Sequence, residues 1–293
     1  MVQRFLEYIE VERRYSPNTL ISYEKDLSDF SEFLLKTEAH QDFTQIEKKV
    51  IRNFMAALSE KGVSRRSINR KLSSLRSFYR FLLKVGEVKV SPVESVQSLK
   101  FYPEKQIPFS EDEMSVVLSG ESEVYNGSLL KELIIETLYQ TGMRRTELIH
   151  LLLENVDFDR AEIKVIGKGN KQRIIPVAAS LLDRFREYLK ERKPLPESNV
   201  FFFVNENGKK LYDKFVYSVV NSYLGLVTSK QKKSPHILRH SFATHVLGNG
   251  AEISKVKKLM GHQSLASTQV YTDANIEQLK KVFNNAHPRA KKM

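Results

Sequence analysis

Apolar residues recur every three to four positions along the N-terminal third of the chain, which is the spacing of amphipathic helices. Ser16 followed by Pro17 is typical of a helix start, and the same periodicity predicts helices over 47–60 and 64–85. The apolar positions of the helix that begins near Ser16 are Leu20, Tyr23, Leu27, Phe30 and Leu34. No strand pattern interrupts this region, so we expect residues 1–87 to form a helical domain.

The periodicity is lost over residues 88–108, which contain Pro92, Pro103 and Pro108. Such a segment is typical of an extended linker between domains. Helical patterns return after it in several pieces, the last of them over residues 276–285. We therefore predict a second, larger domain over residues 109–293.

Two β-rich segments lie within this larger domain, at 161–166 and 172–177. They flank the turn sequence Gly-Lys-Gly-Asn at 167–170, which predicts a β-hairpin with Lys168 near its tip. Set among helices, the hairpin makes the larger domain α+β. The expected fold class of the whole chain is mainly α with a small β-sheet.

The charge balance indicates a polyanionic partner. The chain has 47 Lys and Arg against 35 Asp and Glu, a formal net charge of +12 at pH 7 and a pI near 9.6. No apolar run approaches the ~18 residues of a spanning helix, and the N-terminus lacks an apolar signal core, so nucleic acid is favoured over a membrane. Zero cysteines exclude disulfides and Cys-ligated zinc and suit a cytoplasmic protein.

The helix predicted over 64–85 has a strongly basic sequence. Between positions 61 and 84 there is no acidic residue, and the basic ones are Lys61, Arg65, Arg66, Arg70, Lys71, Arg76, Arg80 and Lys84. A merely solvated helix face usually mixes both signs of charge. We predict a face that contacts DNA phosphates, and a helix lying on a membrane surface is the alternative.

Several short motifs carry groups suited to phosphoryl transfer. The chain has an arginine after a glycine turn, a hairpin lysine, a His-x-x-Arg pair, a Gly-His pair, and a tyrosine nine residues after that histidine. The residues are Arg144, Lys168, His236, Arg239, His262 and Tyr271. This inventory is the one that a phosphoryl-transfer site needs if it lacks metal.

In this order and spacing the motifs resemble the tyrosine recombinase (phage integrase) family, and within it the Xer-type site-specific recombinases of bacteria. The resemblance runs nearly from end to end. Its segments are 5–8 and 16–23 for the core-binding region, 141–148 for the first catalytic arginine, 167–171 for the lysine, 236–240 for the His-x-x-Arg pair, 261–271 for the last histidine and the tyrosine, and 287–290 for the chain ending.

The chemistry explains why arginines suit such a site. Attack on a phosphodiester builds negative charge on the non-bridging oxygens, and a planar guanidinium matches that geometry with two hydrogen bonds. Arg144 and Arg239 are the candidates for this clamp, in place of the metal ions of other nucleases. Glu147, three residues after Arg144, is interpreted as a supporting residue that orients it.

The remaining groups handle protons and the nucleophilic attack. The departing 5′-oxygen needs an acid; spacing does not separate Lys168 from Lys171, and the resemblance favours Lys168, with Lys171 as a DNA contact. His236 and His262 share proton handling and hydrogen bonding to a phosphate oxygen. Tyr271 is the nucleophile, and its covalent phosphotyrosine conserves the bond energy without ATP.

A metal site is the rival interpretation of the histidines, because His236 and His240 lie four residues apart. No Glu follows in the His-Glu-x-x-His manner and no Cys is available, so neither a metal nor another cofactor is predicted. We interpret His240 and His245 as packing or hydrogen-bonding residues.

The resemblance implies a two-domain, C-shaped clamp that closes on double-stranded DNA. It also implies four protomers on two DNA sites and strand exchange through a Holliday junction. The helix at 276–285 would dock in trans on a neighbouring protomer, and docking in cis on its own domain is the alternative. A second recombinase and a DNA translocase are further partners that the resemblance suggests.

Rival functions share parts of this pattern. An integrase of a mobile element has the same chemistry, and a type IB topoisomerase uses a similar set of residues. A non-catalytic DNA-binding regulator would explain the charge but not the six motif positions together. The expected function is site-specific cleavage and rejoining of DNA through a 3′-phosphotyrosine, in the resolution of chromosome or plasmid dimers at a terminus-type site.

Overall fold

The computed structural model describes residues 1–102, 106–119, 128–167, 172–261 and 273–289, of which 273–279 are described by their backbone alone. The chain divides into two compact units, Met1–Glu104 and Lys105–Met293. The described residues form many helices and one small sheet, so the predicted fold class, mainly α with a small β-sheet, is confirmed. The clamp implied by the resemblance stays a prediction.

The N-terminal unit is helical, as predicted. Its helices are α1 (Val2–Val11), α2 (Pro17–Thr37), α3 (Lys48–Glu60) and α4 (Arg65–Lys84). Pro17 occupies the first turn of α2, where its missing N–H costs nothing. The side chain of Ser64 accepts a hydrogen bond from the backbone N–H of Ser67 and so caps α4.

An aromatic cluster forms the core of this unit, with Phe5, Phe30, Phe78 and Tyr79 all completely buried. The hydroxyl of Tyr79 donates to the carbonyl of Phe43 at 2.9 Å, so its one polar atom is satisfied inside the core. Val93 and Val96 are buried against the same cluster. The first part of the segment predicted as a linker therefore packs on the N-terminal unit.

The C-terminal unit surrounds a three-stranded antiparallel sheet of order β1-β2-β3 with helices. Its elements are α5 (Glu111–Leu118), α6 (Leu129–Thr141), α7 (Arg145–Ile149), β1 (Val156–Asp157), β2 (Glu162–Ile166), β3 (Gln172–Pro176), α8 (Ala179–Glu191), α9 (Asp213–Val227), α10 (Pro235–Gly248), α11 (Ile253–Met260) and α12 (Asp273–Ala286). β2 and β3 pair as the predicted hairpin, with Val165 opposite Arg173.

Helix α6 is the centre of this unit, since every residue from 133 to 141 is buried. It packs against α8, α9 and α10. Gly142 ends it in the left-handed region, with φ of +58°, and the chain turns directly into α7. The end of the most buried helix therefore fixes the position of Arg144.

Helix α12 packs on its own domain in this structure. Phe283 is completely buried with Phe242 and Val246 of α10. His287, just after the helix, is also completely buried, and its ring contacts those of Tyr139 and Phe242. The single chain thus shows the docking in cis that the sequence left open.

None of the helices in the described part of the chain is both long enough and apolar enough to cross a membrane.

Candidate active site

Arg144 lies between α6 and α7, two residues after Gly142, the glycine that ends α6. Its backbone N–H donates to Oε2 of Glu147 at 2.6 Å, and its Nη1 donates to Oε1 of the same carboxylate at 2.9 Å. The side chain is 39% exposed. Glu147 therefore holds Arg144 by backbone and side chain while part of the guanidinium stays open to a ligand.

Arg239 projects from α10 and is only 4% exposed. One guanidinium nitrogen donates to the carbonyl of Gly142 and the other to the carbonyl of Met260. Burial, followed by the charges of Arg144 and Arg173, lowers its pKa to about 9, and Glu147 opposes that shift. Arg239 stays charged at neutral pH and ties the end of α6 to the end of α11.

Several arginines contact the C-terminal end of α11. Its last carbonyls have no partner within the helix and carry the negative end of the helix dipole, so they favour cations. The carbonyl of Gly261 accepts from Nη2 of Arg144 at 3.4 Å, next to the Met260 carbonyl that Arg239 holds. Arg144 and Arg239, which lie 95 positions apart in the sequence, are thereby brought to adjacent carbonyls.

A third arginine, Arg173 of β3, belongs to this cluster and was missed by the sequence reasoning. It is 4% exposed and donates to both oxygens of Glu147, at 2.7 and 2.8 Å. Its Nε donates to the carbonyl of Leu259 at 2.8 Å. Strand alternation could have found it, because Arg173 lies on the same face as the buried Ile175.

Glu147 is the one carboxylate that these arginines contact among the described residues. Burial raises the pKa of such a group, but the hydrogen bonds and charges of Arg173 and then Arg144 hold the pKa of Glu147 below its ordinary value. It is therefore ionised at neutral pH. Three cations and one anion leave the cluster with a positive excess that suits a phosphate group.

His236 lies in the first turn of α10, one turn before Arg239. The ring is exposed, and its pKa is lowered by partial burial, then by the charges of Arg239 and His240. The imidazole is therefore neutral at neutral pH and able to accept a proton.

The two other histidines of α10 differ from each other. His245 is buried, its Nδ1 lies 2.8 Å from the hydroxyl of Tyr139, and its Nε2 lies 2.8 Å from the carbonyl of Phe109. The predicted hydrogen-bonding role of His245 is thus confirmed. His240 is exposed, so its interpretation as a packing residue is wrong.

Four of the predicted site residues, Lys168, Lys171, His262 and Tyr271, lie outside the described residues. The structure brings together Arg144, Glu147 and Arg239 and places His236 beside them on α10. Across the described ranges, no group of three or more His, Asp or Glu residues has the arrangement of a metal site.

The predicted basic face of α4 needs a correction. Lys71 is 7% exposed and is paired with Asp26 and Asp29 of α2, so it does not face solvent. Arg70 donates both Nη atoms to Asp26, at 2.8 and 2.7 Å, although its side chain is half exposed. The acids that neutralise α4 come from another helix and not from its own sequence.

Two more basic residues of α4, Arg65 and Arg76, donate hydrogen bonds to backbone carbonyls of the segment that follows this helix. Nη2 of Arg76 donates to the carbonyl of Val96 at 2.6 Å, and Nη1 of Arg65 donates to the carbonyl of Lys100 at 3.1 Å. Arg66 and Arg80 are exposed and make no hydrogen bond or ion pair with the described residues. These two arginines are the ones left free for a ligand.

Comparisons with known proteins agree with the geometry. The Phage integrase family matches residues 108–278, and the Phage integrase N-terminal SAM-like domain matches residues 2–86. The tyrosine recombinase XerC of Staphylococcus aureus strain MRSA252 is 36% identical over 293 residues, which cover 99% of this chain and 97% of the relative.

Solved structures share the fold. The Tn1549 transposon integrase in complex with transposon right end DNA matches with a TM-score of 0.71 and 20% identity, over 96% of this chain and 98% of the other. The XerH site-specific recombinase bound to difH substrate matches with a TM-score of 0.68 and 20% identity, over 95% and 83%. The chain therefore belongs to the phage integrase family, and within it to the Xer-type tyrosine recombinases, enzymes that cleave and rejoin DNA at specific sites.

Proposed function

We propose that Arg144 and Arg239 clamp the phosphate at which the DNA strand is cut. The observation that carries this role is the convergence of both guanidinium groups on the end of α11, where Glu147 is the one carboxylate that Arg144 contacts among the described residues. Preorganised donors stabilise a transition state without reorganising during the reaction. The fixed arginines supply such donors for the two non-bridging oxygens.

The cleavage step follows from this clamp. The hydroxyl oxygen of Tyr271 attacks phosphorus and gives its proton to a neutral histidine, His236 or His262. The bond to the 5′-oxygen breaks as Lys168 protonates that oxygen, and the 3′-phosphate stays on the tyrosine. Rejoining reverses each transfer with a 5′-hydroxyl from another strand, so no bond energy is lost. Glu147 supports Arg144 and does not touch the reacting atoms.

The biological role we propose is the resolution of chromosome or plasmid dimers at a terminus-type site. It is supported by the 36% identity to a recombinase called XerC over nearly the whole of both chains. The transposon integrases align with 20% identity, a likeness that concerns the fold alone. Integration of a mobile element is therefore the second choice.

The proposed partners are double-stranded DNA and further recombinase protomers. Support comes from the XerH structure, which holds difH substrate, and from the lambda integrase structure, which is a dimer bound to a core site. We propose four protomers on two sites, including a second recombinase, and activation by a DNA translocase. We also propose that α12, docked in cis in the single chain, docks in trans when protomers assemble. A cytoplasmic location follows from a chromosomal substrate.

A covalent trapping experiment tests the proposed chemistry. Wild-type protein is incubated with nicked duplexes from the host's chromosome terminus, and adducts are separated on a denaturing gel. We expect an adduct with wild type and none with Tyr271→Phe, which should bind DNA as tightly because it loses only one oxygen. Tyr217→Phe, at an exposed tyrosine of α9, is the matched control and should form the adduct. An adduct with Tyr271→Phe would place the nucleophile elsewhere.

The same protein should not relax supercoiled DNA that lacks the site. Efficient relaxation of any plasmid would favour a type IB topoisomerase over a site-specific recombinase.

A further inference from the structure

Three successive carbonyls at the end of α11 each accept a hydrogen bond from a different arginine. Leu259 accepts from Arg173, Met260 from Arg239 and Gly261 from Arg144. The three arginines come from β3, from α10 and from the turn between α6 and α7. The helix end is therefore built by side chains from three separate elements, and His262 is the next residue in the chain.

Arg173 differs from the other two because all three of its guanidinium nitrogens donate to groups of this cluster, whereas Arg144 and Arg239 each donate to described residues through Nη1 and Nη2. Nη1 and Nη2 are both engaged with Glu147, and Nε is engaged with Leu259. Its side chain also packs against the turn itself, since a Cβ added at Gly261 would lie 3.2 Å from its Cδ. A buried arginine in this setting acts on the reaction only through the groups it holds.

We propose that Arg173 is a positioning residue for DNA cleavage, a role that rests on the proposed function of Arg144 and Arg239. Through Glu147 it sets the orientation of the Arg144 guanidinium. Through the Leu259 carbonyl it holds the end of α11, which precedes His262 in the sequence. One side chain thus contacts both the carboxylate that holds Arg144 and the helix end that precedes His262.

The place of Arg173 on β3 extends this coupling to the hairpin. Its backbone pairs with Val165 in the β2–β3 ladder, and Lys171 lies two positions before it in the sequence. A shift of β3 by one residue would point position 173 away from Glu147, because strand side chains alternate between faces. The salt bridge therefore favours the observed register of β3, the strand that follows Lys168 and Lys171 in the sequence.

A purely structural role is the competing explanation, and the chain offers a matched control for it. Arg184 of α8 also binds two carboxylate oxygens, those of Glu132 and Glu136 on α6, and its side chain is 26% exposed. Its partners are not the groups that hold Arg144. Loss of Arg184 should lower stability without changing the cleavage site.

The experiment measures single-turnover formation of the covalent adduct on a nicked duplex that wild type cleaves, together with the Kd for that duplex. Each variant is assayed at a temperature where circular dichroism shows it fully folded. We expect Arg173→Gln to keep its Kd within about twofold and to lose about 100-fold in cleavage rate, the scale of a misplaced catalytic group. Arg173→Lys should also be slow, because one ammonium does not reproduce the two-point contact. Arg184→Gln should cleave at the wild-type rate.

A double variant tests the route through Glu147. Because Arg173 acts through that carboxylate and also through the Leu259 carbonyl, Arg173→Gln combined with Glu147→Gln should be slower than Glu147→Gln alone but faster than the product of the two single effects. Multiplying effects in the double variant would overturn the proposal, as would near-normal cleavage by folded Arg173→Lys or Arg173→Gln. Failure of the proposed clamp has a different signature, because Arg144→Ala and Arg239→Ala would then cleave at the wild-type rate.

Discussion

Gly142 and Phe242 are packed so closely that a side chain does not fit between them. A Cβ added at Gly142 would lie 2.4 Å from Cδ1 of Phe242, and the backbone there has φ of +58°. This contact presses the end of α6 onto α10, and it lies two residues before Arg144 and three residues after Arg239. The distance between Arg144 and Arg239 therefore depends on position 142 being a glycine.

Gly142→Ala should destabilise the C-terminal unit by roughly 2–4 kcal/mol, combining the left-handed backbone strain with overpacking against Phe242. Urea unfolding measures the loss. Cleavage of nicked DNA should fall even where the protein is folded, because the carbonyl of Gly142 is a partner of Arg239.

Gly250→Ala separates the effect of backbone strain from the effect of overpacking against Phe242. Gly250 also has a positive φ, +87°, but nothing lies within 4 Å of its added Cβ. Gly250→Ala should lower the free energy of unfolding by about 1 kcal/mol, from backbone strain alone. Equal losses in the two variants would show that the contact with Phe242 does not matter.

DNA affinity should depend on Arg66 and Arg80, the exposed arginines of α4 that make no hydrogen bond or ion pair with the described residues. Arg66→Glu and Arg80→Glu should each weaken binding to all sequences alike and flatten the slope of log K against log salt by about 0.9 for each lost phosphate contact. Binding titrations at several salt concentrations measure both effects. Lys36→Glu on α2 changes the net charge equally and is the control.

Reversal of Arg70 should act differently, because its guanidinium holds the buried Asp26. Arg70→Glu should lower the stability of the N-terminal unit, because the buried Asp26 loses a two-point ion pair, keeps only Lys71 as a cationic partner among the described residues and gains a like charge beside it. An unchanged salt slope in both Arg66→Glu and Arg80→Glu would show that this face of α4 does not contact DNA.

Lys168→Ala should be slow on ordinary DNA and largely recover when sulfur replaces the bridging 5′-oxygen. A thiolate leaves without being protonated, because the pKa of a thiol is near 8.5 and that of an alcohol is far higher. Rates of adduct formation on the two substrates measure the recovery. Arg144→Ala and Arg239→Ala should stay slow on both, because a transition-state clamp remains necessary. Recovery of Lys171→Ala instead would move the acid three residues along the chain.

Stability should fall in mild acid because of His287. Burial, above all, lowers the pKa of His287 to about 3, with the charges of His245 and Arg289 adding to the shift. The unfolded chain therefore binds the extra proton, and stability present above pH 6.5 is lost as the pH falls toward 3. From pH 7 to pH 5 the loss from this group is about 2 kcal/mol.

Urea unfolding at the two pH values measures this loss. His287→Asn keeps an acceptor for the backbone N–H of Arg289, which His287 now binds at 3.2 Å, but it does not titrate. At pH 7, His287→Asn should be less stable than wild type. Between pH 7 and pH 5, its free energy of unfolding should fall by about 2 kcal/mol less than that of wild type. The buried His245, whose pKa is also lowered, keeps contributing in both proteins. An unchanged pH dependence would mean that His287 is not buried in solution.

The sequence by itself determined the local structure and the family. The apolar periodicity predicted α2, α3 and α4 close to their observed bounds, because a helix buries one stripe of its surface whatever it packs against. The turn sequence at 167–170 and its β-branched flanks predicted the β2–β3 hairpin, because strand pairing across a short turn is also local. The chemistry-bearing residues identified the recombinase because their types and order follow from the reaction.

Only the tertiary structure decided which charges are free. The sequence of α4 shows no acid, but Asp26 lies 44 positions from Arg70 and is brought to it by helix packing. Arg173 likewise meets Glu147 across 26 positions and Leu259 across 86. Sequence patterns report neighbours within one or two turns, whereas the partner of a buried charge is set by which elements pack together. A basic helix could therefore be predicted from the sequence, but the division of its arginines between structural contacts and free ones could not.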